Sequence, residues 1–78
     1  MVIAKKEKIL KILGSHIRSI RIEKGITQTE LANSINKDQP SIQRLERGGV
    51  NPSYYYLCEI ADGLNISIIE LIDIDKKG

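Results

Sequence analysis

The stretch TQTELANSINKDQPSIQRLERG, residues 27–48, contains two helix starts separated by a sharp turn. Thr27 and Glu30 stand in the S/T-x-x-E arrangement of a capping box, in which the two side chains satisfy backbone amides of the first helical turn. The inner side of this helix is formed by Leu31, Ala32 and Ile35. Asn36 marks the turn, because asparagine tolerates a left-handed backbone conformation better than most residues. The stretch therefore predicts a short helix, a tight turn and a second short helix.

The second helix of this pair is predicted over residues 39–47. Asp38 can cap it, and Pro40 is acceptable in a first turn, where its missing amide hydrogen would have no helical partner. A proline also biases the preceding residue away from helical angles, so Gln39 is an alternative cap. Gly48 and Gly49 end the helix.

The predicted third helix has a thin apolar side and a broad polar one. Ile42 and Leu45 dock it on the body, with Glu46 on the same side. The other side carries Gln39, Pro40, Gln43, Arg44 and Arg47, with Ser41 at its flank. Glutamine can form two hydrogen bonds to adenine, arginine two to guanine, and serine one to either base. The polar side can therefore read nucleic acid, and the alternative is an ordinary solvated helix face.

The segment before this pair predicts an amphipathic first helix. Its apolar stripe consists of Ile9, Leu10, Leu13, Ile17 and Ile20, at helical spacing. Gly14 interrupts the pattern and weakens a helix relative to alanine. Residues 1–12 are therefore predicted as an N-terminal extension, either helical or frayed. Gly25 is a natural stop, because glycine tolerates the positive φ of a helix end.

The segment after the pair predicts two more helices. Asn51-Pro52-Ser53 starts the fourth, whose predicted inner face is Tyr54, Leu57, Ile60, Ala61 and Leu64. Asn65 fits the residue after its end. Ser67 and Glu70 form a second capping box, which opens a fifth helix through Leu71 and Ile72. Residues 73–78 form a polar tail. The expected fold is all-α, with five short helices.

Composition limits the possible functions. With 78 residues the chain supports one domain, and it has no apolar run long enough to span a bilayer. The net charge of +2 divides into +5 for residues 1–47 and −3 for residues 48–78. That asymmetry favours a basic surface facing a polyanion. The single cysteine, Cys58, excludes an internal disulfide. We expect a soluble cytoplasmic protein with no membrane partner.

Residues 13–72 resemble the Cro/C1-type helix-turn-helix family of phage repressors and related bacterial regulators. The resemblance rests on LGSHIRSIRIEKGITQTELA (13–32), SIQRLERG (41–48), NPS (51–53) and IADGLNIS (60–67). It implies a lambda-repressor-like domain with the helix-turn-helix at helices 2 and 3. This sequence departs from the family pattern at Asn36, Lys37 and Pro40.

The resemblance also implies roles for individual residues. Gln28, at the start of the second helix, is similar to a glutamine that anchors a DNA phosphate, and a helix N-terminus favours anions on physical grounds as well. Arg47 and the loop 48–51 are further candidates for backbone contacts. Pro40 replaces a residue that often contacts a base, and could instead touch a thymine methyl. Arg21 and Glu46 are expected to form a partly buried ion pair between the first and third helices.

The leading hypothesis is a transcriptional regulator that binds double-stranded DNA as a homodimer on an inverted repeat. Candidate dimer surfaces are the fourth and fifth helices or the N-terminal extension, with Ile12 and Ile22 as spare apolar residues. Tyr55 and Tyr56 are expected to be exposed, and could contact phosphate, a second subunit or only solvent.

The alternative is an antitoxin-like or adaptor module whose main partner is another protein. An enzyme is not expected, because the lone His16 has no catalytic or metal-ligating companion. We expect no cofactor and no metal.

Overall fold

One long helix, α1 (Ile3–Glu23), opens the computed structural model, which describes residues 3–74. Of the two alternatives for the N-terminal extension, the structure has the helical one: α1 continues through Gly14 to Glu23. Met1 and Val2 lie outside the described residues.

Gly14 is the point where α1 crosses the end of α3 (Gln39–Glu46). A Cβ atom on Gly14 would lie 2.4 Å from the carbonyl oxygen of Glu46 and 2.6 Å from that of Leu45. Any larger residue would push the two backbones apart. The sequence marked Gly14 as a weakness of the helix, whereas its structural role is to allow close contact between two helices.

The remaining helices are α2 (Gln28–Ser34), α4 (Tyr54–Gly63) and α5 (Ile68–Ile72), so the all-α prediction of five helices is confirmed for residues 3–74. Capping boxes at Thr27–Glu30 and Ser67–Glu70 begin α2 and α5. Asn36 and Asn65 both have φ of 61°, in the left-handed region where asparagine was expected. Short polar side chains therefore set the positions at which the chain turns.

Asp38 is the cap of α3, and the alternative cap, Gln39, is the first helical residue. The Asp38 carboxylate accepts hydrogen bonds from the Ser41 backbone N–H (3.0 Å) and hydroxyl (2.6 Å). Pro40 lies in the first turn of the helix. This cap fixes where α3 starts, and so which of its residues face outward.

The core is aliphatic and draws on all five helices. Its members are Ile17, Leu31, Ala32, Ile35, Ile42, Leu45, Ile60, Ala61, Leu64 and Leu71. α3 contributes only Ile42 and Leu45 to it, both fully buried. α3 packs against α2 and α1, while α5 packs against α4 and α1. The corner formed by α2 and α3 is thus held from behind by α1.

Three predictions of burial were wrong. Ile9, assigned to the inner stripe of α1, is 55% exposed, and Tyr54, assigned to the inner face of α4, is 67% exposed. Tyr56, expected to be exposed, is half-buried against the core. The side of α4 that faces the core carries Tyr56 and Ile60, which are about one helical turn apart. Tyr54, the first residue of the helix, faces solvent instead.

The polar tail predicted for residues 73–78 is described only to residue 74, and the rest lies outside the described residues. Within residues 3–74, no helix has the length and apolar character needed to cross a membrane.

Candidate nucleic-acid interface

The outer side of α3 forms the centre of the candidate interface. Ile42, Leu45 and Glu46 point inward and are buried. Four of the predicted contact residues are exposed, namely Pro40, Gln43, Arg44 and Arg47. Three are half-buried, namely Gln28, Gln39 and Ser41. All seven predicted residues are thus at least partly accessible and lie on α2, on α3 or directly after α3, two helices that pack against each other.

Behind this surface lies a buried ion pair between α1 and α3. The Nε of Arg21 donates to one oxygen of Glu46 at 2.7 Å, and its Nη2 donates to the other at 3.0 Å. The side chain of Glu46 is only 2% exposed. Arg21 also donates from Nη1 to the carbonyl oxygen of Ile26 at 2.7 Å, which ties down the loop before α2. A bidentate ion pair of this kind fixes the relative orientation of the two side chains as well as the distance between them.

Gln28 extends the polar contacts from this ion pair to the surface. Its Nε2 donates to Glu46 at 2.9 Å, and its Oε1 accepts from the Nε2 of Gln39 at 2.7 Å. Sequence reasoning placed both glutamines at the interface but missed the bond between them. The 11-residue separation carries no periodic signal, and the contact exists only because the α2–α3 turn brings the two helix starts together.

Ser41 has a structural task in addition to its predicted contact role. Its hydroxyl donates to Asp38, so the pKa of the Asp38 carboxyl falls below its ordinary value. The Ser41 backbone hydrogen bond and the positive charge of Arg44 lower it further. Asp38 therefore remains ionised near neutral pH and keeps the start of α3 fixed.

Lys37, one of the departures from the family pattern, adds a cation directly before the cap of α3. Its Nζ lies 5.2 Å from the centre of the Tyr56 ring, a cation–π distance. Burial raises the pKa of the Tyr56 phenol, so this tyrosine stays neutral. The ring thus holds the ammonium group against α4, a contact that sequence spacing did not indicate.

Comparison with known proteins places this geometry in a family. A family model described as helix-turn-helix matches residues 17–71. The chain belongs to this helix-turn-helix family. Its members are DNA-binding transcriptional regulators of the XRE/Cro-C1 kind and are not enzymes.

Three proteins similar to this helix-turn-helix protein match most of its length, one by sequence and two by structure. The HTH-type transcriptional regulator y4dJ of Sinorhizobium fredii is 39% identical over 62 residues, which is 80% of each chain. Among solved structures, the restriction-modification controller protein C.AhdI from Aeromonas hydrophila superposes with a TM-score of 0.81 at 30% identity, over 85% of this chain and 96% of that one. The clp gene regulator ClgR from C. glutamicum gives 0.79 at 28% identity, over 86% and 87%.

Proposed function

We propose that this protein regulates transcription in the cytoplasm by binding double-stranded DNA sequence-specifically, as a homodimer on an inverted repeat. The observation that carries the proposal is that α3 has a buried inner side and an exposed polar outer side. Ile42, Leu45 and Glu46 anchor the helix, while Gln43, Arg44 and Arg47 project outward. A helix fixed from behind and polar in front can enter a major groove.

The seven candidate contact residues divide into two groups by chemistry, those suited to bases and those suited to phosphates. Gln39, Gln43 and Arg44 carry groups that can bond base edges, and Ser41 can add a hydrogen bond to either base. Pro40 offers an apolar surface to a thymine methyl. Arg47, at the end of α3, and Gln28, at the start of α2, are suited to phosphates, which set the position of the helix without reading sequence.

The dimer part of the proposal rests on an apolar groove that no residue of α3 lines. The groove, of about 390 Å³, is lined by Ile9, Ile12, Leu13, Leu57, Ile72 and Ile74. It joins the two candidate dimer surfaces, because α1, α4 and α5 all contribute to it. Ile22 does not line it and borders Gln28 and Arg21 instead. We assign a second copy of the chain to this groove, since one module reads few bases and a twofold pair reads half-sites about 34 Å apart.

Sedimentation velocity tests the dimer. Ile12→Glu should convert the dimer to a monomer, because a carboxylate would be buried at the interface. Ile22→Glu is the matched control, with the same change on the same helix outside the groove, and should remain dimeric. A wild-type chain that is monomeric at all concentrations would refute the dimer.

Selection from randomised duplexes tests DNA binding. Wild type should enrich an inverted repeat and lose affinity steeply as salt rises, since each phosphate contact releases counterions. No enrichment at low salt would refute the proposal.

A protein-interaction module is then the second candidate, favoured by the exposed Tyr54, Tyr55 and Ile69. A purified partner protein whose affinity is unchanged by Gln43→Ala and Arg44→Ala would support it.

A further inference from the structure

The surface of α1 carries a stripe of positive charge. Lys8, Lys11 and Arg18 are exposed and fall within about 80° of one another on a helix of about 3.6 residues per turn. Glu7 borders the stripe, so three cations and one carboxylate leave it a net charge of +2. Lys8 and Lys11 belong to the N-terminal extension and precede residues 17–71, which the family model matches. Membership of the family therefore does not assign a role to these two lysines.

One end of the stripe lies against the end of α3. A Cβ atom on Gly48 would lie 2.8 Å from both the Cα and the backbone nitrogen of Lys11, so the two backbones are in contact. Gly48 follows Arg47, which the proposed function assigns to a phosphate. Because α1 rises about 1.5 Å per residue, Lys8 lies about 4.5 Å beyond Lys11 along the helix axis. The two lysines therefore prolong the proposed phosphate-binding surface past the end of α3.

The other end of the stripe borders the start of α2. Arg18 lines an open groove of about 680 Å³, and Arg21, Gln28 and Gln39 line it as well. Both glutamines belong to the proposed contact residues. The stripe thus has proposed DNA contacts at its two ends, with Arg47 at one end and the glutamines at the other.

The chemistry and length of the stripe fit one strand of a DNA backbone. A lysine ammonium is a point charge on a flexible stem, which suits it to phosphates. From Lys8 to Arg18 the stripe is about 15 Å long, and one strand presents a phosphate about every 3.4 Å of helix axis. The α1 residues of the dimer groove, Ile9, Ile12 and Leu13, are centred about 140° from the stripe. A dimer built through the groove would therefore not cover the stripe.

We propose that the N-terminal extension of α1 is a second DNA-binding element: Lys8 and Lys11 contact phosphates of the strand that runs past the end of α3, and Arg18 continues this contact toward α2. This inference rests on the proposed DNA-binding function, to which it adds affinity without sequence preference. The alternative is an ordinary solvated helix face, whose charges would not change the number of counterions released on binding.

The test measures the affinity of the full chain for the duplex that wild type selects, over a range of salt concentrations. Lys8→Gln/Lys11→Gln should lower the slope of log affinity against log salt by about 1.8, since each phosphate contact contributes about 0.9. The loss of affinity between about 50 and about 200 mM salt should then be about tenfold smaller than in wild type. Adding Arg18→Gln should lower the slope by about another 0.9. Base preferences should stay as in wild type, because phosphate contacts carry no sequence information.

Lys6→Gln/Lys24→Gln is the matched control, because it removes the same charge from two exposed positions off the stripe. Lys6 lies on another side of α1, and Lys24 follows the end of the helix and lines a different groove. The slope of the control should stay within about 0.5 of wild type. The four replaced lysines are all exposed, so both variants should fold, and thermal unfolding checks that they do.

Glu7→Gln tests the proposal with the opposite sign. Removal of the carboxylate beside the stripe should raise DNA affinity about twofold to threefold at low salt. Glu23→Gln removes the same charge at the other end of α1 and should change affinity by less than about 1.5-fold. Equal affinities of the two variants would count against a DNA contact at the extension.

The salt slopes separate failure of this inference from failure of the proposed function. If wild type selects a duplex and the slope of Lys8→Gln/Lys11→Gln equals that of the control, the extension does not contact DNA, while the role of α3 stands. The extension is also excluded if only Arg18→Gln lowers the slope. If wild type binds no duplex at low salt, the DNA-binding function fails, and the role of the extension fails with it.

Discussion

Glu46 is a charged residue in a small aliphatic core, and its position explains several features around it. A carboxylate at the C-terminal end of a helix is disfavoured by the helix dipole, and its burial adds a desolvation cost. Arg21 offsets both, with hydrogen bonds of 2.7 and 3.0 Å. The pair thereby links the first helix to the third at a single point behind the interface.

Removing one partner of this pair should destabilise the fold. In Arg21→Ala the buried carboxylate is left without its cation, and we expect a loss of about 3–5 kcal/mol in the free energy of unfolding. Urea denaturation measures it. Arg18→Ala, an exposed change one turn earlier in α1, should shift the free energy by less than about 0.5 kcal/mol. Equal stability of the two variants would mean that the pair contributes nothing.

At the scale of elements, the crossing of α1 over α3 depends on the absence of a side chain. Replacing glycine by alanine inside a helix normally gains about 1 kcal/mol. Gly14→Ala should instead cost about 1–3 kcal/mol, because the added methyl would overlap the backbone of α3. Thermal unfolding compares it with Ser15→Ala, the exposed neighbouring position. A more stable Gly14→Ala would contradict the observed crossing.

The start of α3 should respond to pH through Asp38. Hydrogen bonds from Ser41 hold the pKa of Asp38 below its ordinary value in the folded state. The stabilising contribution is therefore complete above the ordinary pKa and is lost as the pH falls through the folded-state pKa. The stability difference between wild type and Asp38→Ala should shrink from about pH 5 to about pH 2.

Asp38→Asn is the control for this pH effect, because asparagine caps helices without titrating. Its stability relative to Asp38→Ala should not change over the same pH range. A wild-type advantage that is constant with pH would show that the charge of Asp38 has no part in the cap.

The helix boundaries were largely predictable because they depend on local chemistry. Capping boxes, glycine and asparagine turns and the proline of α3 act over four residues or fewer, so their signals are readable in the sequence. The contacts that were missed are tertiary. Neither the Gln28–Gln39 bond nor the role of Gly14 follows from periodicity, because each depends on which two elements meet.

At the scale of the whole molecule, the proposed DNA-binding surface and the proposed dimer surface are formed by different residues. The outer side of α3, with Lys37 beside it, carries the basic and amide groups, while the apolar groove between α1, α4 and α5 lies elsewhere. The outer side of α3 belongs to residues 1–47, which carry a charge of +5, whereas the groove draws on both this part and residues 48–78, which carry −3. A dimer built through the groove would leave both α3 helices free.

The wrong prediction that Ile9 is buried has an explanation at this scale. Ile9 continues the apolar stripe of α1 beyond the part that the chain's own core covers and is exposed, and Ile12, which lies off that stripe, is exposed as well. Periodicity reports that a helix has an apolar face but does not say whether the covering surface comes from the same chain. The helical stripe was therefore read correctly as apolar and wrongly as internal at Ile9.

The most direct measurement of the central claim is the base preference of outer-face variants of α3 at every position of the selected operator. Gln43→Ala and Arg44→Ala should each relax the preference at one or two adjacent positions by about tenfold, because each removes a side chain that bonds a base edge. Arg47→Ala should lower affinity evenly at all positions and reduce its salt dependence. If Gln43→Ala and Arg44→Ala leave every positional preference unchanged, the outer side of α3 does not read DNA.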